Sequence, residues 1–337
     1  MKLNKIYAAI LISLVPSASV FAAGLDRSGQ SISAFLQPGN YAEAGISVLD
    51  PTVKGLDKSG HPVSDMGDDY YFPSAAIKVQ ATDKISLGLL YDQPFGADAT
   101  YQVDGSDFSN GAEGTKVEVR TNNLTALIGY QPTANWNFYA GPVWQTVEAD
   151  IKLRGAAYSL LSGYNIKVNE KEAYGWAAGF AYQIPEIALK AAVTYRSEIK
   201  HKADATETSN LAALGASLPA TGHPYSPYKP FLSTLGYKAS TLDATTPQSV
   251  NIDLQTGVAA NTLAFANLRW VHWDQFAVKP ELLAQASTFA RGKAQNLIDY
   301  SDDQYSVTTG LSHKFNGKWA GTAAVGYDRG GPTCLNN

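Results

Sequence analysis

The chain has 337 residues, of which 45% are hydrophobic, 17% charged and 11% aromatic, with 29 Gly and one Cys. Few charges beside many aromatics exclude a disordered chain, and a lone Cys excludes a disulfide scaffold. A net charge of −4 without a basic stretch excludes a phosphate-backbone binder, so no nucleic-acid partner is expected.

Residues 1–22 read as a secretory signal peptide. Lys2 and Lys5 supply the positive start, Ile6 to Val15 the apolar run, and Val20-Phe21-Ala22 the cleavage site. No later stretch reaches the roughly 18 apolar residues of a spanning helix. A soluble exported protein and a membrane β-barrel remain, the latter having a weak hydropathy signal per strand.

Period-two patterns bounded by turn residues predict eleven strands, at 40–50, 70–82, 84–95, 115–130, 135–153, 171–183, 187–200, 247–258, 262–274, 301–315 and 318–328. Tight connections near 82–84, 132–135, 183–186, 259–261 and 316–318 alternate strictly with long ones at 51–69, 96–114, 154–170, 201–246 and 275–300. In an up-and-down barrel this sorts short turns to one rim and long loops to the other, as in outer-membrane barrels. Leu189, Ala191, Val193 and Tyr195 share one face and Lys190, Ala192, Thr194 and Arg196 the other, which suits lipid outside and a polar lumen inside. Trp136 and Trp319 sit beside short turns, and Tyr91, Tyr130, Tyr182, Tyr195 and Tyr327 lie near strand ends, where interfacial girdles form.

Four colinear segments resemble the FadL/TodX family of outer-membrane long-chain fatty acid transporters. They are Tyr41 to Val53 with its Asp50-Pro51, Val193 to Lys200 with Thr194-Tyr-Arg-Ser-Glu198, Thr246 to Val250, and Trp273-Asp-Gln-Phe276. The resemblance runs from about residue 40 to 330. It implies an all-β, antiparallel transmembrane barrel of fourteen strands in the outer membrane of a Gram-negative bacterium. Such a barrel is monomeric, is plugged by an N-terminal hatch, and passes hydrophobic ligands sideways through its wall without a cofactor.

Two departures from the family stand out. Residues 23–39 form only a short hatch-like segment without the usual Asn-Pro-Ala. Eleven strands over 40–330 fall three short of fourteen, and 331–337 form an atypical tail with Cys334. The expectation is a truncated or frame-shifted product; a smaller barrel with one strand overlooked is the other reading.

Loop 201–246 is apolar for an exposed loop. Leu211, Leu214 and Leu218 fall on one face of a short helix capped by Ser209, and Phe231, Leu232 and Leu235 follow. Loop 155–164 is similar, with Tyr158, Leu160 and Leu161. The resemblance implies that two such loops form a groove for the ligand tail; packing on each other to roof the barrel is the alternative. By position, Arg154 and Lys279 resemble the family's carboxylate-binding pair, the latter one residue off in spacing. Arg196 is expected to pair with Glu198 in the wall. His61, His201, His223, His272 and His313 are isolated, and neither HExxH nor Gly-x-Ser-x-Gly occurs, so no catalytic or metal site is predicted. Asp68-Asp69 and Asp302-Asp303 read as solvated rim charges.

The expected function is passive uptake of long-chain fatty acids or related hydrophobic molecules, with outer-membrane lipid as the other partner. The alternatives are aromatic hydrocarbon uptake on the same fold, a structural or adhesive barrel and, least favoured, a lipid hydrolase.

Overall fold

The computed structural model describes residues 25–274, 276–316 and 319–329. The predicted signal at 1–22 and the tail at 331–337, with Cys334, lie outside the described residues.

Fourteen strand segments make one antiparallel sheet. They are β1 (Tyr41–Leu49), β2 (Tyr70–Gln80), β3 (Ile85–Asp92), β4 (Gly96–Thr100), β5 (Lys116–Tyr130), β6 (Trp136–Lys152), β7 (Asn165–Ile184), β8 (Leu189–Arg196), β9 (Ile199–Thr208), β10 (Tyr237–Thr246), β11 (Ser249–Ala259), β12 (Thr262–Val271), β13 (Gln304–Lys314) and β14 (Ala320–Arg329). The path through the sheet has eleven members, because β4 prolongs β3, β9 prolongs β8, and β10 leads into β11. The eleven predicted strands therefore correspond to eleven wall strands. Pro94, which has no N–H for the ladder, marks the break between β3 and β4. The outer edges of β1 and β14 have no strand partner among the described residues.

Alternation decides which face points where. Along β6, Asn137, Tyr139, Val143 and Gln145 are buried inward while Trp136, Phe138, Ala140 and Pro142 are exposed. Ile77, Leu89, Ile128, Phe180, Leu254 and Val325 extend this exposed apolar band across the sheet. The band makes sense only against lipid, since no aqueous face gains from it. Trp136 stacks on Phe138 at 5.7 Å and lies 4.9 Å from Tyr182 at the short-turn rim. Trp176 and Tyr195 meet at 5.0 Å higher up. These are the two ends of the band.

The sheet curls around residues 25–37. Phe35 is buried against Tyr139, ring centroids 5.6 Å apart. It fits because Gly88 and Gly129 present bare backbone there: a Cβ on Gly88 would overlap the ring, and one on Gly129 would lie 2.9 Å from it. Inward cations hold the segment's backbone: Lys78 donates to Gln37 O at 2.5 Å and Lys190 to Leu36 O at 3.0 Å. Asn251 donates to Gly29 O at 2.7 Å, and Arg269 pairs with Asp26 at 2.6 Å. Partners on β2, β8, β11 and β12 thus converge on one short segment, which requires a curved wall. The expectation of little hatch understated it: Leu25, Ile32, Ala34, Phe35 and Leu36 are all buried.

Three expectations change in detail. The strand predicted from 171 starts at Asn165. Both ends of loop 201–246 are wall extension: β9 and β10 pair along their length, from Ile199↔Thr246 to Thr208↔Tyr237. Between them lie α1 (Leu211–Ser217) and α2 (Lys229–Thr234). Loop 275–300 contains α3 (Glu281–Arg291), which buries Leu282, Leu283, Ala286 and Ser287.

One stretch of wall is unzipped. β8 pairs with Ala177–Ile184 of β7, and β9 rejoins β7 only at Ala205↔Val168. Between these zones 198–204 and 169–175 are not paired with each other, although 199–204 stay paired with β10 and 171–175 with β6. The slit begins at Trp176, whose N–H donates to Ser197 Oγ at 3.0 Å. Seven residues per side make it about 23 Å long. His201 fills part of it, its ring nitrogens 3.1 Å from Lys171 O and 3.1 Å from Gln145 Oε1.

Candidate functional site

The long-loop rim is closed by a hydrophobic roof. Tyr158 and Leu161, from the short 3-10 turn Ala156–Leu161, are buried. They join Leu211 and Leu218 of the α1 segment, Leu232 of α2 and Leu282 of α3 in one cluster, with Leu160 and Leu214 partly buried against it. Both apolar loops thus contribute to one hydrophobic cluster at this rim. The α1 stripe is oriented as its spacing predicted. Ser209 Oγ accepts the Leu211 N–H at 3.2 Å, although Asn210 is the residue at the N-cap.

An aromatic group stays open on top. Phe231 is 42% exposed. Its ring lies 5.9 Å from Phe289, which also receives Tyr228 at 5.4 Å and Tyr225 at 5.8 Å. Below, Trp273 donates to Gln304 Oε1 at 2.9 Å and packs edge-on against Phe95 at 5.4 Å and Phe276 at 5.1 Å. Phe95 and Leu25 belong to the same buried cluster as the roof. Apolar contact therefore runs without interruption from the roof to the interior segment.

A carboxylate ties the roof together. Glu207 of β9 is fully buried. It accepts the Leu282 and Leu283 N–H groups at 3.1 and 2.9 Å, at the positive end of α3. It also accepts the Tyr164 hydroxyl at 2.7 Å. Burial, and then Glu207, raise the Tyr164 phenol above its ordinary range. Burial pushes Tyr158 and Tyr300 up to about 12. No pattern in the sequence marks Glu207, because its partners are backbone amides distant along the chain.

The two expected head-group cations sit differently. Arg154 is buried and engaged: Nε contacts Glu113 at 2.6 Å, Nη1 donates to Leu153 O and Tyr164 O at 2.9 and 3.1 Å, and Nη2 to Asn165 Oδ1 at 2.6 Å. Lys279 is exposed. Arg196 corrects its expected role. Glu198 pairs with Lys200 at 3.0 Å on the outside, whereas Arg196 turns inward and is buried.

Two His residues that are isolated in sequence acquire carboxylate neighbours. Asp57, His61 and Asp107 converge, as do His272, Asp274 and Asp303. Asp57 already accepts the His61 and Asp107 backbone N–H groups at 2.7 and 2.9 Å, and Asp303 accepts Trp270 Nε1–H at 2.7 Å. Both groups act as staples between rim segments.

A lipid-facing wall with a filled lumen and an apolar roof on its long-loop side defines an outer-membrane β-barrel suited to greasy cargo. The chain belongs to the outer membrane protein transport protein family (OMPP1/FadL/TodX), whose family model matches residues 31–333. Its place is therefore the outer membrane of a Gram-negative bacterium, and its class is a transporter of hydrophobic compounds, not an enzyme. A FadL homologue of Pseudomonas aeruginosa has the same fold, with a TM-score of 0.59, 17% identity, and 87% of this chain and 71% of that one covered. The Pseudomonas putida toluene transporter TodX superposes with a TM-score of 0.53 at 12% identity, covering 88% of this chain and 76% of that one. No curated protein matches at the sequence level.

Proposed function

We propose that the chain takes up long-chain fatty acids or related hydrophobic molecules by diffusion, working as a monomer in outer-membrane lipid. The observation that carries this is the unbroken apolar cluster from the roof to Leu25. Each CH₂ kept from water along it contributes about 0.8 kcal/mol, a gain an aqueous pore cannot offer. The tail first meets Phe231 and the aromatic group around Phe289. It then passes between the loops bearing Tyr158, Leu160, Leu161, Leu211, Leu214 and Leu218, while residues 25–39 plug the lumen and shift to release it. Arg154 and Lys279 receive the head group at the roof; for Arg154 this means exchanging Glu113 for the ligand's carboxylate.

A second reading is uptake of aromatic hydrocarbons. The likeness to TodX and the aromatic lining around Phe289 favour it. The test is uptake of labelled oleate and labelled toluene by cells lacking other such transporters, with and without this chain. Oleate uptake that depends on the chain supports the first reading, and toluene uptake alone supports the second. If neither depends on it, both fail. Arg154→Ala with Lys279→Ala should weaken oleate binding; unchanged affinity removes the roof head-group assignment.

A further inference from the structure

His272, Asp274 and Asp303 bring three ligand atoms together where β12 ends and β13 begins. His272 Nδ1 lies 3.1 Å from Asp303 Oδ1 and 3.3 Å from Asp274 Oδ1. One imidazole nitrogen has at most one proton to share between two carboxylates. A divalent cation satisfies all three groups at once. Donors about 2.1 Å from one metal ion lie about 3.0–3.4 Å apart at octahedral and tetrahedral angles, as these do. The set is also held from behind. Trp270 Nε1–H donates to Asp303 Oδ2 at 2.7 Å, the Asp274 N–H donates to Asp303 Oδ1 at 3.3 Å, and the Trp270 and His272 rings are 5.5 Å apart. Outer contacts of this kind orient metal ligands. His272 and Asp303 are half-buried and Asp274 is exposed, so an ion can enter. The other His–Asp group is less open: Asp57 already accepts the His61 and Asp107 N–H groups and faces His61 Nδ1, and Asp107 accepts the Ser59 hydroxyl at 2.6 Å.

The side of the wall that carries this group gives it a partner. Tyr195, Val250, Trp270 and Tyr305 are successive cross-strand partners on β8, β11, β12 and β13, so they share one face. Tyr305 is exposed on the lipid side, which places Trp270 there, and with it the Asp303 carboxylate that its indole holds. Tyr195 and Trp176 mark the upper aromatic level of the band. The His272 group therefore stands just above that level, on the outer surface at the long-loop rim, where the head groups of the outer leaflet lie. Arg329, opposite Tyr305 on β14, is exposed at the end of the same row. Three protein ligands leave coordination positions open. The ligand that a membrane presents at this height is a lipid phosphate.

We infer that His272, Asp274 and Asp303 bind a divalent first-row cation whose open positions take the phosphate of an outer-leaflet lipid. One imidazole with two carboxylates suits Zn²⁺, whereas Ca²⁺ takes oxygen ligands alone. The inference rests on the outer-membrane placement of the barrel and not on the choice of cargo. It makes this rim staple an anchor to the surrounding lipid.

The test has a metal arm and a lipid arm. Zn²⁺ is titrated calorimetrically into the full chain, purified in detergent without an affinity tag and stripped with EDTA. Wild type should bind it, and His272→Gln or Asp274→Asn should weaken binding by about tenfold or more, since a ligand counts for at least as much as an outer contact. Asp107→Asn, in the other His–Asp group, should leave the affinity within about twofold. Absence of binding to wild type overturns the inference even if a variant misfolds, and so does binding that survives in Asp274→Asn or is lost in Asp107→Asn. Native mass spectrometry with added phosphatidic acid reads the lipid arm. The lipid should stay on the barrel with Zn²⁺ and leave with EDTA or in Asp274→Asn. Zn²⁺ binding without lipid retention, or retention that EDTA does not change, overturns the lipid anchor. Neither arm reads cargo uptake, so the transport reading stands or falls separately.

Discussion

Tyr164 donates its hydroxyl proton to Glu207 at 2.7 Å, with both side chains fully buried. The same carboxylate caps the first turn of α3 through Leu282 and Leu283. One charge thus fastens the strand entering the roof, the β9–β10 hairpin and the third helix. Glu207→Gln keeps the shape but removes the charge, and should cost about 1–3 kcal/mol of roof stability. Limited proteolysis within 281–300 is the check; cleavage no faster than in wild type would refute the role.

Alkali should open the same roof. Tyr158 and Tyr300 are pushed up to about 12 by burial, and Tyr164 is raised too. A raised phenol stabilises the fold fully below its unfolded value of about 10. That contribution fades as pH rises through the folded value. Absorbance at 295 nm should therefore show phenolates appearing late and together with loss of roof protection from hydrogen exchange. Smooth titration of every Tyr near pH 10 would contradict it.

Phe35 predicts how the interior segment is held. Phe35→Ala removes a ring lodged between Gly88 and Gly129, at about 3–5 kcal/mol for a large core truncation. Gly88→Leu should expel the ring from the other side. Both should raise the leak of small hydrophilic solutes in liposome swelling. A leak unchanged from wild type would mean the segment does not seal the lumen.

The lipid face gives a fourth expectation. Ile252 is exposed on β11, opposite Val193 of β8, in the middle of the apolar band. Ile252→Arg should destabilise the barrel by about 2–4 kcal/mol in lipid. Lys200→Ala, above the band, should change stability by less than about 0.5 kcal/mol. Urea unfolding in vesicles measures both, and equal effects would misplace the membrane.

The wall was legible because its signal is local. Trp136 to Gln145 alternates residue by residue, and lipid outside with a filled lumen inside turns that alternation into burial. The stripe Leu211, Leu214, Leu218 was legible for the same reason. The extension of β9 beyond residue 200 is absent from the predicted strands although Ile199, His201, Ala203, Ala205 and Glu207 alternate inward, because its outer face, Lys200, Lys202 and Asp204, carries charge and no apolar band. The sites were less legible. Whether Arg154 meets Glu113, or Arg196 meets Glu198, depends on which side of the wall each residue faces and on partners brought by distant turns.

The paired joints at 197–198 and 247–248 have a modular consequence. Arg196↔Ser249 closes the ladder of β8 and β11 just below, and Ile199↔Thr246 closes the hairpin just above. Residues 199–246 are thus a cassette mounted on a wall whose register is already set beneath it. Above those joints the cassette rejoins the wall through Ala205–Thr208 on Asn165–Val168 and through Glu207, so the helices at its tip can vary while the register beneath stays fixed.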